Sequence, residues 1–214
     1  EFLAKVDTFK AIYTISSFGI KIYMLGYGEG NKSDRRGLYT YDIISKKYNE
    51  IFTHPRVDIG LGAVAVDDAN QVIGVRVDDA YPAAVILKNV ESDLKNAFME
   101  IQKSYPYEQF FVTSSSEDKK KLIVYMTSDI NPGTYFLYDR DQGKFTPLAR
   151  SWSKVDYQDL NQMIAYDFNN RDGVPIQAFL TQAKNKSNKK TIIYPHGGPW
   201  ARAVSYTHLT LPTK

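Results

Sequence analysis

The sequence predicts a mainly β protein: a partial β-propeller of about three four-stranded blades, followed by the first strands of an α/β domain. Three observations carry this expectation. Segments around Tyr41 and Tyr138 repeat one another 97 positions apart. Short alternating apolar runs recur, four to a unit of about 48 residues, the period of a propeller blade. After residue 150 that rhythm gives way to a hairpin and then to an apolar run entering a Gly-Gly loop. Composition agrees, since 16 Tyr and 11 Phe in 214 residues favour strands over helices.

The clearest repeat aligns Leu38 to Asp42 with Tyr135 to Asp139, Lys47 with Lys144, Tyr48 with Phe145 and Ile51 with Leu148. Each copy reads as a strand ending in Tyr-Asp, a tight polar turn and a second strand, because Asp and Gly tolerate the backbone angles of such turns. A degraded middle copy falls at "AAVILKN" near residue 86. Two further strand candidates precede each copy. They are "FKAIYTISS" and "IKIYMLGYG", then "GAVAVDD" and "QVIGVRVDD", then "QFFVTSSSED" and "KKLIVYMTSD". The expected blades therefore span 10–52, 57–104 and 107–149. One insertion interrupts them. In "ESDLKNAFMEIQKSY", Leu94, Ala97, Phe98 and Ile101 recur at the spacing of one helical face, with Ser92 at the N-cap. Three blades do not close a propeller, for which four to eight are usual, so the chain reads as a piece of something larger.

Domain organisation follows: 1–150 a partial propeller, 151–163 a polar linker, 164–203 the start of a second domain, and 204–214 a tail of separate origin. Within the second domain, "IAYDFNNRDGVPIQAFLTQ" predicts a hairpin turning at Asp172-Gly173. "TIIYP", at 191–195, predicts a strand buried in a mixed or parallel sheet.

Charge and composition exclude several classes. The formal net charge of +3 arises from 27 basic and 24 acidic residues scattered along the chain, too weak a field for a nucleic-acid partner. Lys119-Lys120-Lys121 reads as a solvated patch beside a turn. The absence of Cys excludes disulfides, thiolate metal sites and a cysteine nucleophile. No His/Asp/Glu spacing resembles a metal site, and no cofactor is expected. "GYGEGNKS", residues 26–33, lacks the Gly-Lys-Ser of a phosphate loop. No apolar run reaches the roughly 18 residues of a membrane-spanning helix, so no membrane partner is expected. The chain starts at Glu1 without Met, and its true N-terminus is expected to lie upstream. The compartment, cytoplasmic or periplasmic, and the oligomeric state stay open.

The sharpest motif is His196-Gly197-Gly198-Pro199, directly after the apolar run. Two glycines there let the backbone turn sharply and present N–H groups without Cβ obstruction. In α/β-hydrolases an HGGG-type loop after the third strand supplies one oxyanion-hole donor. Such a donor stabilises the negative charge of a tetrahedral intermediate where it develops. Residue frequencies alone would produce this tetrapeptide on the order of once per thousand such chains.

"HPRVD", "DINPGTYFLYDRDQGKFTPL", "RDGVPIQAFLT" and "IIYPHGGPWAR" occur in an order that resembles the prolyl oligopeptidase family of serine peptidases, in particular its acylaminoacyl-peptidase-like bacterial branch. The resemblance covers about residues 20–202. It implies a substrate-filtering propeller joined to an α/β-hydrolase domain that cleaves short peptides through an acyl-enzyme. It assigns the oxyanion N–H to Gly198, with His196, Gly197 and Pro199 supporting the loop and Trp200 at its exit. His54, in "HPRVD", matches a structural propeller position. Neither His196 nor His54 matches the family's general base.

The departures are as informative. No Gly-x-Ser-x-Gly elbow occurs in the chain, and the Ser, Asp and His of this fold follow the oxyanion loop in sequence. The resemblance therefore implies that this segment, lacking a nucleophile and its base, is inactive by itself. An esterase or other acyl hydrolase of the same fold, and a non-catalytic propeller binding module, are the alternatives. The family motif continues with Asp where this chain has Ala203, followed by "VSYTHLTLPTK". Val204 to Thr213 match the translation of a common transposase sequencing adapter, whose leading CT converts a codon beginning with G into Ala. Ser205 and His208 are accordingly expected to carry no function.

Overall fold

The computed structural model describes residues 12–28, 33–184 and 190–195. Its strands form antiparallel sheets, and it divides into two compact units. The first unit holds two sheets. Strands β1 (Tyr13–Phe18), β2 (Lys21–Gly26), β3 (Gly37–Asp42) and β4 (Lys47–Phe52) pair in sequence order. Strands β5 (Val64–Val66), β6 (Val72–Asp78) and β7 (Pro82–Ile86) form the second sheet, followed by helix α1 (Asp93–Ser104). In the second unit, β8 (Gln109–Ser115), β9 (Lys121–Thr127), β10 (Thr134–Asp139) and β11 (Lys144–Arg150) make a sheet, again with sequential neighbours paired. A hairpin of β12 (Met163–Asn169) and β13 (Pro175–Thr181) follows.

The 97-residue repeat extends to backbone detail. Asp42 pairs with Lys47 and Asp139 with Lys144; Tyr41 pairs with Tyr48 and Tyr138 with Phe145. Both ladders slip at the corresponding place, between Leu38 and Tyr39 and between Tyr135 and Phe136. The β1–β2 and β8–β9 ladders slip alike, at Thr14/Ser16 and Val112/Ser114. A bulge bends and twists a strand pair, so two sheets bulged at matching positions curve in the same way.

The turns explain the recurring Asp. Asp42 Oδ1 accepts the N–H groups of Ile44 and Ser45, at 3.0 and 2.7 Å. Asp139 Oδ1 accepts that of Gln142, at 3.2 Å. These bonds favour the ionised form and hold both carboxyls below the usual aspartate range. The residue before the second strand is left-handed in each turn, Lys46 at φ 56° and Gly143 at φ 60°. Glycine adopts this region freely, whereas a side chain there costs about 1–2 kcal/mol. Lys46→Gly, which copies the later turn into the earlier one, is expected to stabilise the first unit by about 0.5–1 kcal/mol. Urea titration checks this, and a loss of stability would contradict the assignment of strain.

The first sheet is apolar on both faces. Tyr23, Leu25 and Leu38 join Val57, Ile59, Ala63, Val72, Val75 and Val77 in one core, which packs the first sheet on the second. On the opposite face Met24, Tyr39 and Tyr41 form a separate cluster with Ile12, Ile22 and Tyr48. The connection containing "HPRVD" is tied down by backbone and side-chain bonds. Asp58 Oδ1 accepts the Arg36 N–H at 2.8 Å, and Arg36 Nε donates to the Ile59 carbonyl at 2.7 Å.

The second sheet corrects the expectation of four strands per unit: it has three, and the helix expected in this stretch, α1, follows β7 with no fourth strand between them. The 3.6-residue periodicity of 93–104 is incompatible with a strand's period of two. The helix is tied to the sheet by Gln102, whose Nε2 donates to the Ala84 carbonyl of β7 at 3.3 Å. Ala97 and Ile101 are buried as the helical spacing predicts, and Ser92 at the N-cap accepts the first helical bond through its carbonyl. Lys95 is buried too. Its Nζ donates to the carbonyls of Lys88 and Val90, at 2.9 and 2.7 Å, and so closes the turn into the helix.

Candidate functional site

The residues singled out for chemistry, His196, Gly197, Gly198 and Pro199, lie outside the described residues, as do Trp200 and the 204–214 tail. The approach to them is described. Residues 191–195 were expected to form a buried strand; they carry no strand, and Ile192 and Ile193 are 72% and 87% exposed. A strand exists only through its ladder partners, and none of the described residues pairs with this run. Its apolar character persists without the neighbours that would bury it.

The hairpin before it forms as expected, with one refinement. The Gly173 N–H returns to the Asn170 carbonyl at 3.0 Å, so Arg171 and Asp172 occupy the centre of the turn. Gly173 follows in the left-handed region, at φ 78°. Asn170 Oδ1 accepts the N–H groups of Asp172 and Val174, which pins the turn from within. The strands pair Ile164 with Leu180, Tyr166 with Ala178 and Phe168 with Ile176. Ile164, Tyr166, Phe168, Ile176 and Leu180 are all substantially exposed.

His54, the other histidine considered, is placed in a turn, where its Nδ1 accepts the Arg56 N–H at 3.3 Å. Among the described residues no group of three or more His, Asp or Glu side chains is arranged to hold a metal ion.

A polar constellation that sequence reading passed over lies in the second unit, at the loop joining β9 to β10. Glu108 accepts hydrogen bonds from Ser128 Oγ and Asn131 Nδ2, both at 3.3 Å. Asn131 Oδ1 in turn accepts from Thr134 Oγ1 at 2.8 Å and from the Gly133 N–H at 3.3 Å. Asp129 Oδ2 accepts the Met163 N–H at 2.7 Å, at the first residue of β12. The residues of this loop belong to "DINPG", which was legible as a motif but not as a network. Glu108 had no sequence signal, because its partners lie 20 and 23 positions away.

Burial pushes the Glu108 carboxyl above its ordinary value of 4.5; the bonds from Asn131 and Ser128 oppose this, and the charge of Asp129 adds to it. A raised folded-state pKa means that the folded protein holds this proton more tightly than the unfolded chain. The resulting stabilisation is fully present below the unfolded value and is lost as pH rises through the folded one. Glu108→Gln keeps an acceptor for Asn131 and offers an amide donor to Ser128, without a charge to desolvate. It is expected to hold or raise stability at pH 7 and to flatten the stability profile just above pH 4.5. Urea titrations across pH 4 to 8 read this out. A loss above about 1 kcal/mol at pH 7 would show that the ionised carboxylate is required.

No family model matches the chain, and no curated protein matches it. Solved structures do. A prolyl endopeptidase, from a study of two such enzymes and the role of their interdomain dynamics in catalysis and specificity, aligns over 86% of this chain and 26% of its own. The identity is 13% and the TM-score 0.52. A post-proline cleaving enzyme from Rickettsia typhi aligns over 81% of this chain and 26% of its own, at 14% identity and a TM-score of 0.49. The chain thus spans about a quarter of the length of the structures it matches. The first of these likenesses is one of fold, and it agrees with the mainly β architecture of successive antiparallel sheets.

Proposed function

We propose that this chain is part of a serine peptidase of the prolyl oligopeptidase family that hydrolyses short peptides through an acyl-enzyme. The observation that carries the reading is His196-Gly197-Gly198-Pro199 placed directly after an apolar run and a hairpin. The fold likeness to a prolyl endopeptidase supports it, as does the repeat of bulged antiparallel sheets upstream. On this reading residues 1–150 contribute about three propeller blades, 151–163 the linker and 164–203 the start of the hydrolase domain.

The chemistry assigned to this chain is narrow. The Gly198 N–H donates to the carbonyl oxygen of the scissile bond as it becomes an oxyanion, and a backbone donor costs no reorganisation at that moment. His196, Gly197 and Pro199 shape the loop. Nucleophile, base and orienting acid are assigned to the rest of the full protein, since this chain has no Gly-x-Ser-x-Gly. On this reading the Gly198 donor is one part of a site whose other groups these 214 residues do not supply.

The test is made on the gene recovered at full length. Its product is expected to react with a fluorophosphonate at one serine and to cleave N-acylated or free aminoacyl peptide anilides. Hydrolysis of esters without peptides would move the assignment to an acyl hydrolase, since the same donor serves both. Absence of any labelled serine would overturn the enzymatic reading in favour of a binding propeller.

A further inference from the structure

The segment following β11 is polar and irregular, the composition of a flexible connection, yet it is bonded repeatedly to one place. The carbonyl of Gly133 accepts the Ser151 N–H and the Tyr157 hydroxyl, each at 2.9 Å. The guanidinium of Arg150 lies 4.5 Å from the centre of the Tyr157 ring, within reach of its π face. A short 3-10 turn at Tyr157–Asp159 is capped by Asp156, whose Oδ1 accepts the Gln158 N–H at 2.9 Å. At the far end of the segment the Met163 N–H meets Asp129 Oδ2. Two residues on, the Ala165 N–H donates to the Tyr81 hydroxyl at 3.1 Å. Asn161 Nδ2 donates to the Gln182 carbonyl, and Lys184 Nζ donates to that of Gln158, so the end of β13 returns to the same segment.

The receiving loop is itself held rigidly. Ser128 and Asn131 exchange backbone bonds, Asn131 Oδ1 bridges Gly133 and Thr134, and Glu108 grips the loop through Ser128 and Asn131. Gly133 sits at φ 136°, a conformation closed to side-chain-bearing residues, which aims its carbonyl at the segment.

We propose that the 128–134 loop is a clasp that docks residues 151–163 onto the third sheet and sets the entry of the β12–β13 hairpin, making this connection a strut and not a hinge. Its placement between propeller and hydrolase rests on the peptidase reading above; the clasp itself does not. Asp129 and Tyr157 are positioning residues. Any relative movement of a propeller and a hydrolase domain then has to flex elsewhere than at 151–163.

The test uses hydrogen exchange and limited trypsin digestion on the 214-residue chain, with no assay of catalysis. Asp129→Ala is expected to speed exchange of the Met163 amide at least about tenfold, the loss of a charge-assisted bond, while the Val124 and Leu137 amides of the third sheet keep their protection. Asp129→Asn, which retains an acceptor oxygen, is expected to restore part of that protection. The milder Tyr157→Phe removes one hydroxyl and is expected to speed cleavage after the exposed Lys154 roughly two- to tenfold without moving the unfolding midpoint. Unchanged Met163 exchange in Asp129→Ala would overturn the proposal. So would equal loss of protection throughout the third sheet, which would make the loop an inseparable part of the core. These outcomes stand whether or not the recovered gene proves to encode a peptidase.

Discussion

Truncating Leu38 to alanine is expected to destabilise the first unit by about 3–5 kcal/mol. Leu38 is fully buried, at the centre of the core that joins the first two sheets, with Leu25, Ile59 and Val72 equally inaccessible. Removing its branched end sacrifices transfer free energy and leaves a cavity that flanking β-ladders cannot collapse to fill. Paired with Phe52 beside a bulge, Leu38 also sits where the ladder has little freedom to shift. Urea unfolding followed by tyrosine fluorescence reads the change. The control is Ile44→Ala at the neighbouring turn, where the side chain is 75% exposed and the effect is expected to stay within about 0.5 kcal/mol. Comparable losses at the two positions would mean that the two sheets do not share a core.

The second large effect belongs to Gly133→Ala, expected to cost about 2–4 kcal/mol. Two causes add. The backbone at φ 136° is closed to L side chains, and an added Cβ would fall on the Tyr125 hydroxyl and within 2.8 Å of its ring carbons. Tyr125 has little room to yield. Its ring packs on Tyr135 at 4.9 Å and on Phe111 at 6.2 Å, and its hydroxyl donates to the Pro132 carbonyl at 3.4 Å. The substitution therefore strains the sheet and turns away the carbonyl that receives Ser151 and Tyr157. A loss below about 0.5 kcal/mol, measured by urea titration, would show that the loop relaxes freely.

What was legible in the sequence, and what was not, follows from the range of the interactions concerned. The paired strands of the first and third sheets were legible because their hairpins are local and their turn chemistry is repeated, Asp42 with Lys47 and Asp139 with Lys144. Helix α1 was legible by period. Its consequence was not: once 93–104 is helical, no fourth strand remains for the second sheet. Lys95 was hidden because a lysine reads as solvated until two carbonyls are found around its Nζ. The Glu108 network was hidden because its members are separated in sequence and are common loop residues individually. The strand expected at 191–195 shows the opposite failure. Apolar, β-branched composition predicts burial, but burial requires partners, and the described residues supply none. The loop proposed to carry the oxyanion donor is legible only as sequence, since Gly198 and its neighbours lie outside the described residues.

The proposal that this chain is part of a serine peptidase stands or falls on the source DNA sequenced across the codon for Arg202. The frame is expected to continue from Arg202 through Asp into a hydrolase core containing Gly-x-Ser-x-Gly, with no codons for "VSYTHLTLPTK". Source DNA that encodes Ala203 to Lys214 followed by a stop would contradict it, and the function of the chain would then have to be sought in binding.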